Sequence, residues 1–207
     1  MGEEHIKRRV YEVARDLFLR KGFRETSVAD IARAARIAVG SYYRYYPSKE
    51  HLFLEVFSEI SLQRESEIMD NEVEGDDPVD YAKRLVRRLN DMDRTDPVLS
   101  VWYDRQLRHK ITRKCGDAEI GSENQRAVVS LYTNVIARWQ QEGKIRTDMD
   151  AGFVLALFDS LSVINLYSSE IGDEYFPILI DTLVEFIMHG LRCERDESRR
   201  EQGEHDE

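Results

Sequence analysis

Apolar residues recur every three to four positions along most of this chain, which is the spacing of one buried face of an α-helix. At the N-terminus the pattern predicts a helix over about residues 5–21, which Gly22 ends as a left-handed cap. The same spacing predicts further helices at about 49–69, 78–92, 97–110, 122–142, 150–167 and 173–192. We therefore predict an all-α fold, and the chain is long enough to bury a substantial core.

Residues 24–53 differ from the long helices around them. Ser27 and Asp30 have the spacing of a helix-capping box, so a short helix is predicted to begin after Ser27. A second short helix is predicted at about 39–45, and Pro47 ends it. Two short helices joined by a tight turn are typical of a helix-turn-helix, whose second helix lies in the major groove of DNA.

Three motifs in this stretch carry a family resemblance: Thr26-Ser27-Val28-Ala29-Asp30-Ile31-Ala32, then Gly40-Ser41-Tyr42-Tyr43-Arg44-Tyr45-Tyr46, then Ser48-Lys49-Glu50. Through them the chain resembles the tetracycline-repressor (TetR) family of one-component bacterial regulators. The resemblance implies an N-terminal three-helix helix-turn-helix DNA-binding domain over residues 1–48. It also implies a helical effector-binding and dimerisation domain over 49–193. Residues 194–207 are charged and nearly devoid of apolar side chains, so they are predicted to be disordered.

One position departs from the family pattern. Members of the family usually have glycine in the turn between the two short helices, where this chain has Arg36. A left-handed backbone at a residue with a Cβ costs about 1–2 kcal/mol. The sequence leaves two outcomes open, a strained Arg36 or a turn of slightly different shape.

The second short helix must present one face to the protein core and another to DNA. Tyr42 and Tyr46 are four residues apart and are predicted to face the core. The alternative is that this tyrosine-rich helix is ordinary core with polar tips. Residues predicted to face or hold DNA are called the DNA-contact set, and they are Ser27, Val39, Gly40, Ser41, Tyr43, Arg44, Tyr45 and Lys49.

Charge is distributed unevenly along the chain. The net charge is −10, yet residues 1–50 hold 11 Lys and Arg against seven Asp and Glu. A basic head can attach to phosphates locally, whereas an acidic body discourages non-specific coating of DNA. The imbalance is also compatible with ordinary surface variation.

The last two predicted helices are apolar on nearly every side, so each must be buried on more than one face. By resemblance they form a homodimer interface; the alternative is that they are central helices of a monomer. The middle helices would enclose a small-molecule effector, largely apolar, whose identity the sequence does not give. The predicted effector-contact set is Trp102, Tyr103, Leu107, Tyr132, Trp139, Phe158, Ser162 and Asn165.

Catalytic signatures are absent from the sequence: it has no phosphate-binding loop, nucleophile elbow or dinucleotide fingerprint, and its five histidines are scattered. We therefore expect no enzyme activity, no cofactor and no metal. Two cysteines do not make a disulfide framework, and no long apolar run is present, which favours a cytoplasmic protein. Cys115 lies beside basic residues that favour a thiolate, but an inert thiol is the simpler interpretation.

These observations and the resemblance together predict a ligand-responsive transcriptional repressor. It would bind a two-fold operator as a homodimer and leave it when a small-molecule effector binds. A second hypothesis is a constitutive DNA-binding adaptor whose helical body binds a protein partner. A third, an enzyme with an accessory DNA-binding head, lacks a catalytic constellation.

Overall fold

A computed structural model describes residues 2–70, 77–116, 123–176 and 178–193, and in these ranges the chain forms helices and no strand. The all-α prediction is therefore confirmed. The tail at 194–207, predicted to be disordered, lies outside the described residues. The α-helices are α1 (Glu3–Glu25), α2 (Val28–Ala34), α3 (Val39–Tyr42), α4 (Lys49–Asp70), α5 (Pro78–Thr95), α6 (Arg105–Cys115), α7 (Glu123–Gln141), α8 (Ala151–Asn165), α9 (Ser168–Ile171) and α10 (Ile178–Gly190).

The chain divides into two compact units that are not continuous in sequence. The first unit comprises Met1–Ile68 and Leu89–Val128, and the second comprises Met69–Arg88 and Val129–Glu207. The helix-turn-helix segment belongs to the first unit, together with most of α4 and all of α6. The domain boundary at residue 48 stays a prediction, and the first unit extends well past it.

The first unit is built around aromatic side chains from α1 and α4. Phe53 of α4 packs edge-on against Phe18 and Phe23, with ring centroids 5.3 and 4.8 Å apart. All three rings are buried. Burying each such side chain stabilises the fold by about 1.5–3 kcal/mol, so this cluster holds the two helices together. Leu107 and Ile111 of α6 are buried in the same core.

The end of α1 follows the prediction at Gly22. This glycine has φ +76°, in the left-handed region, and it interrupts the helical geometry before Glu25. The hydroxyl of Thr26, which is buried, donates to the carbonyl of Gly22 at 2.8 Å. The chain therefore leaves α1 along a fixed path toward α2.

The prediction of one continuous helix over 97–110 is wrong. The structure has a 3₁₀ turn at Leu99–Tyr103, and α6 begins only at Arg105. The break falls at Asp104, whose backbone is extended and whose carboxylate accepts the amide protons of Gln106 and Leu107 at 3.1 and 3.0 Å. A side chain that caps a new helix competes with continuation of the previous one.

The second unit has its own core, in which Trp139 of α7 meets Tyr81 of α5 edge-on at 5.3 Å. Val154 of α8 and Val184 of α10 are fully buried. The prediction of one helix over 173–192 is wrong at its N-terminal end. Residues Asp173–Tyr175 form a 3₁₀ turn, and α10 begins only at Ile178. The turn follows α9 and Gly172, whose φ of +118° other residues adopt only with strain.

Candidate nucleic-acid interface

The entry to α2 is fixed by the predicted capping box. The Ser27 hydroxyl oxygen accepts the amide proton of Asp30 at 3.1 Å, and the Ser27 amide donates to the Asp30 carboxylate at 3.2 Å. Hydrogen bonds from Ser27 lower the pKa of Asp30, which keeps the carboxylate charged in this role. Ser27 is exposed. Its side chain thus caps the N-terminus of α2 while it lies at the surface.

The turn between α2 and α3 settles the question that Arg36 raised. Arg36 has φ +55°, so it adopts the left-handed conformation that glycine usually provides. The amide of Ile37 donates to the carbonyl of Ala32 at 3.0 Å. The amide of Arg36 donates to the carbonyl of Arg33 at 3.1 Å. This pair of bonds is the Schellman pattern of a helix end. The turn has its standard shape, and the Arg36 backbone bears the strain.

The core-facing prediction for Tyr42 and Tyr46 is confirmed. Tyr42 is fully buried, and its hydroxyl donates to the carbonyl of Ser48 at 3.1 Å. Tyr46 is also buried, and the ammonium of Lys7 lies 5.5 Å from its ring centroid. Burial raises the pKa of both phenols, so both stay neutral. These rings anchor α3 and the turn after it to the first unit.

The outer side of α3 is open. Val39 and Tyr43 are large exposed side chains, and 54% of Tyr43 is accessible to solvent. A Cβ added at Gly40 would have no heavy atom within 4 Å, so the helix backbone is bare at this point. Ser41 is half-buried. The start of α3 therefore offers an apolar group, uncovered backbone and a phenol side by side.

Arg44 and Tyr45 follow α3 and differ in their surroundings. Arg44 is exposed, and its guanidinium donates to the carboxylate of Glu3 at 2.6 Å. Exposed pairs of this kind contribute little stability, so the guanidinium exchanges partners at small cost. Tyr45 is half-buried and packs against the core of the first unit. Its ring is thus partly committed to the fold.

Lys49 occupies a place that the sequence did not predict. Its ammonium donates to the carbonyl oxygens of Phe23 and Thr26 at 2.6 and 2.7 Å. It also lies 4.0 Å from the centroid of the Phe23 ring. Burial lowers the pKa of Lys49, although the carboxylate of Glu50 opposes this shift.

Glu50, the next residue, is a buried carboxylate that the sequence analysis did not single out. Its side chain is 4% exposed and accepts a hydrogen bond from Lys114 of α6 at 2.8 Å, with Lys110 at 3.4 Å. Burial alone would raise its pKa, but hydrogen bonds from Lys114, from its own backbone amide and from Ser48 lower it to about 2. The two lysines are four residues apart, which indicates a shared helix face but not which acid they meet.

The effector-contact set falls into two separate cores. Trp102 and Leu107 pack in the first unit, where Trp102 stacks on Phe57 with ring centroids 5.0 Å apart. The guanidinium of Arg94 lies 5.9 Å from the Tyr103 ring. In the second unit Tyr132, Trp139 and Phe158 belong to the core, Asn165 is buried and Ser162 is exposed.

Other chemistry is sparse in the described part of the chain. It contains no group of three or more acidic, histidine or cysteine side chains placed to hold a metal ion. Among the same residues, no helix combines the length and the apolar character that crossing a bilayer requires. Cys115 and Cys193 are not joined in a disulfide.

This arrangement of a capped helix, a tight turn and an exposed short helix defines a helix-turn-helix protein. Residues 10–56 match the profile described as bacterial regulatory proteins, tetR family. This match confirms the resemblance predicted from residues 24–53 and shows that the N-terminal segment is similar to that of tetR-family regulators.

Curated relatives match over part of the chain. An uncharacterized HTH-type transcriptional regulator of Bacillus subtilis, YuxN, is 32% identical over 102 residues, which is 49% of this chain and 30% of the relative. The regulator QacR of Staphylococcus aureus is 30% identical over 54 residues, or 26% of this chain and 29% of QacR. The chain thus spans about three-tenths of the length of these relatives. Both relatives are named as HTH-type transcriptional regulators.

Solved structures share the fold over nearly the whole length. The TetR-family repressor FadR of Thermus thermophilus, in complex with lauroyl-CoA, superposes with a TM-score of 0.61 at 19% identity, covering 88% of this chain and 91% of FadR. RolR in complex with resorcinol gives a TM-score of 0.63 at 16% identity, covering 95% of this chain and 92% of RolR. At such identities the likeness shows the fold alone.

Proposed function

We propose that this chain is a transcriptional repressor that reads an operator with the exposed side of α3. The observation that carries this proposal is the open surface at Val39, Gly40 and Tyr43, directly outside the buried Tyr42. A helix with a rigidly anchored inner side and a bare outer side fits the major groove, which admits an α-helix. The family match over residues 10–56 supports the same conclusion.

Each exposed group on this surface has a specific use against DNA. Val39 suits contact with a thymine methyl, and Gly40 lets the helix backbone approach the bases closely. The phenol of Tyr43 and the guanidinium of Arg44 are donors for phosphate or base edges. Ser27 adds a hydroxyl at the N-terminus of α2, where the helix dipole favours a phosphate. Tyr45 contributes its hydroxyl edge only, because its ring packs on the core.

The experiment that tests this proposal replaces Gly40 with alanine. A Cβ at Gly40 meets no protein atom, so Gly40→Ala leaves the fold intact and adds about 0.5–1 kcal/mol of helix stability. It blocks close approach of the backbone to DNA, and we expect affinity for a duplex enriched from a random pool to fall at least tenfold, the equivalent of about 1.4 kcal/mol.

Gly190→Ala is the matched control. Gly190 is the last residue of α10, and an added Cβ there also meets no heavy atom within 4 Å. Because Gly190 lies on α10, sedimentation first checks that this variant keeps the oligomeric state of the unaltered chain. We then expect it to bind the enriched duplex with unchanged affinity in fluorescence anisotropy. Equal affinity for Gly40→Ala and Gly190→Ala would reject α3 as the reading surface.

We further propose that the chain acts as a homodimer through α8 and α10. Phe153 and Val163 of α8 are exposed, and so are Ile178 and Phe186 of α10, with 71% and 68% of these two side chains accessible. Apolar surface of this kind marks an interaction site. The occupant is a second copy, because a two-fold dimer pairs the same patch on each subunit and places two reading heads on a two-fold operator.

Sedimentation of a charged variant tests the dimer. Phe186→Glu puts a carboxylate on the patch, and we expect a monomer at micromolar concentration, since a buried unpaired charge is strongly unfavourable. Val129→Glu is the control, because Val129 is an exposed apolar residue of α7 outside the patch. A dimer that survives Phe186→Glu at all concentrations would place the interface elsewhere.

Finally, we propose that a largely apolar small molecule regulates DNA binding. Support comes from the aromatic residues of the effector-contact set and from the family resemblance. FadR was solved with lauroyl-CoA and RolR with resorcinol, which makes an effector of some kind reasonable for this chain. Native mass spectrometry of the protein purified from cells would detect a retained molecule. Added back, this molecule should release the enriched duplex, through a coupling energy of about 1–3 kcal/mol.

A further inference from the structure

The position of Lys49 assigns it a role other than the DNA contact that the sequence predicts. Lys49 is the first residue of α4, and a positive charge at a helix N-terminus opposes the helix dipole. Its ammonium instead lies at the C-terminal end of α1, on the carbonyls of Phe23 and Thr26. Cations are favoured there, because the last carbonyls of a helix have no partner within it.

Two of the three donors of the Lys49 ammonium are used at this place. An ammonium has three N–H donors. Two point to the carbonyl oxygens of Phe23 and Thr26, at 2.6 and 2.7 Å, and the charge faces the Phe23 ring at 4.0 Å. Both Phe23 and Thr26 are buried. A DNA phosphate would have to use the remaining N–H or displace one of these buried carbonyls.

The contact closes the helix-turn-helix into a loop. Thr26 directly precedes the capping residue of α2, and Lys49 follows the end of α3, so α2, the Arg36 turn and α3 all lie between the two bonded residues. The neighbouring Glu50 attaches the same turn of α4 to α6 through Lys114. The first turn of α4, which follows α3 in the chain, is therefore bonded both to the end of α1 and to α6.

We propose that Lys49 is a positioning residue for α3 and not a ligand of DNA. Its ammonium clasps the two ends of the helix-turn-helix and fixes the angle at which α3 meets the groove. The inference rests on the proposed function. If Lys49 only positions α3, its loss should lower the affinity for one specific DNA sequence more than the affinity for DNA of any sequence.

Measuring the affinity for two DNA duplexes distinguishes a positioning role of Lys49 from direct binding of a phosphate. The first duplex is enriched from a random pool by the unaltered chain, and the second is a scrambled duplex of equal length. For Lys49→Met we expect affinity for the enriched duplex to fall at least about fivefold, the equivalent of one lost base contact. Affinity for the scrambled duplex and the slope of log affinity against log salt should match those of Lys21→Met. Lys21 is an exposed lysine of α1, so this control removes the same charge.

The opposite result has a clear signature. A phosphate ligand lost at Lys49 would weaken both duplexes equally and reduce the salt slope by about 0.9 relative to the control, which would overturn the inference while leaving the proposed function intact. If Lys49→Met does not fold, Lys49→Gln decides by the same measurement, because glutamine retains an N–H donor without the charge. Failure of the pool to yield any enriched sequence would remove both the proposed function and this inference.

Discussion

Replacing Arg36 with glycine should stabilise the protein without adding any contact. The Arg36 backbone is left-handed at φ +55°, a conformation that costs a residue with a Cβ about 1–2 kcal/mol. Glycine removes this cost, but it also makes the unfolded chain more flexible, which lowers the free energy of unfolding by about 0.4–1 kcal/mol. The difference is a net gain of about 0.5–1 kcal/mol. For a chain of this size it corresponds to a rise in Tm of about 1–4 °C.

The assay is thermal and urea unfolding followed by circular dichroism, with Arg36→Ala as the matched control. Alanine removes the guanidinium but keeps the Cβ, so the backbone strain stays, and we expect no gain in the urea midpoint. The turn hydrogen bonds from Arg36 and Ile37 involve backbone atoms and survive both substitutions. If Arg36→Ala stabilises as much as Arg36→Gly, the gain comes from the lost side chain and the strain argument is refuted.

Three further outcomes are expected. Glu50→Gln should destabilise the protein by about 2–3 kcal/mol near neutral pH, since the half-exposed lysines make the full pKa shift an upper bound. Because the folded-state pKa of Glu50, about 2, lies below its ordinary value, this difference should be complete above about pH 4.5 and vanish as the pH falls toward 2; a difference that does not depend on pH would contradict the argument. Ser27→Ala breaks the capping box with Asp30 and should cost about 1 kcal/mol in urea unfolding, whereas Ser27→Asn should cost much less. Gly22→Ala should cost about 1–2 kcal/mol at φ +76° and Gly40→Ala should not, and equal melting of the two variants would exclude backbone strain as the cause.

Local signals in the sequence predicted much of the helix-turn-helix. The Ser27 and Asp30 spacing predicted a capping box, and helical periodicity separated the buried Tyr42 and Tyr46 from the exposed side of α3. Such features depend on neighbours within four residues, so a single sequence contains them. The end of the first helix at Gly22 was predictable for the same reason, because few residues other than glycine end a helix in the left-handed region.

Features that depend on distant residues were not predictable in the same way. Lys49 lies 26 residues from Phe23 in sequence and Glu50 lies 64 from Lys114, and no periodicity connects such pairs. The break at Asp104 was missed because an aspartate inside an apolar pattern reads as a surface residue until its carboxylate is seen to cap α6. The sequence left the strain at Arg36 open, since either backbone at that position was compatible with the residues around it.

The discontinuous first unit has a consequence for engineering. The core beneath the proposed reading surface of α3 is completed by Leu99, Leu107 and Ile111, which lie far along the chain from α3. A chimeric regulator spliced at residue 48 would therefore take the reading surface without the side chains that support it. It would also separate Lys49 from the carbonyls of Phe23 and Thr26, which lie on the other side of the splice. If α3 reads the operator as proposed, its specificity is better exchanged by replacing surface residues of α3 than by grafting whole domains.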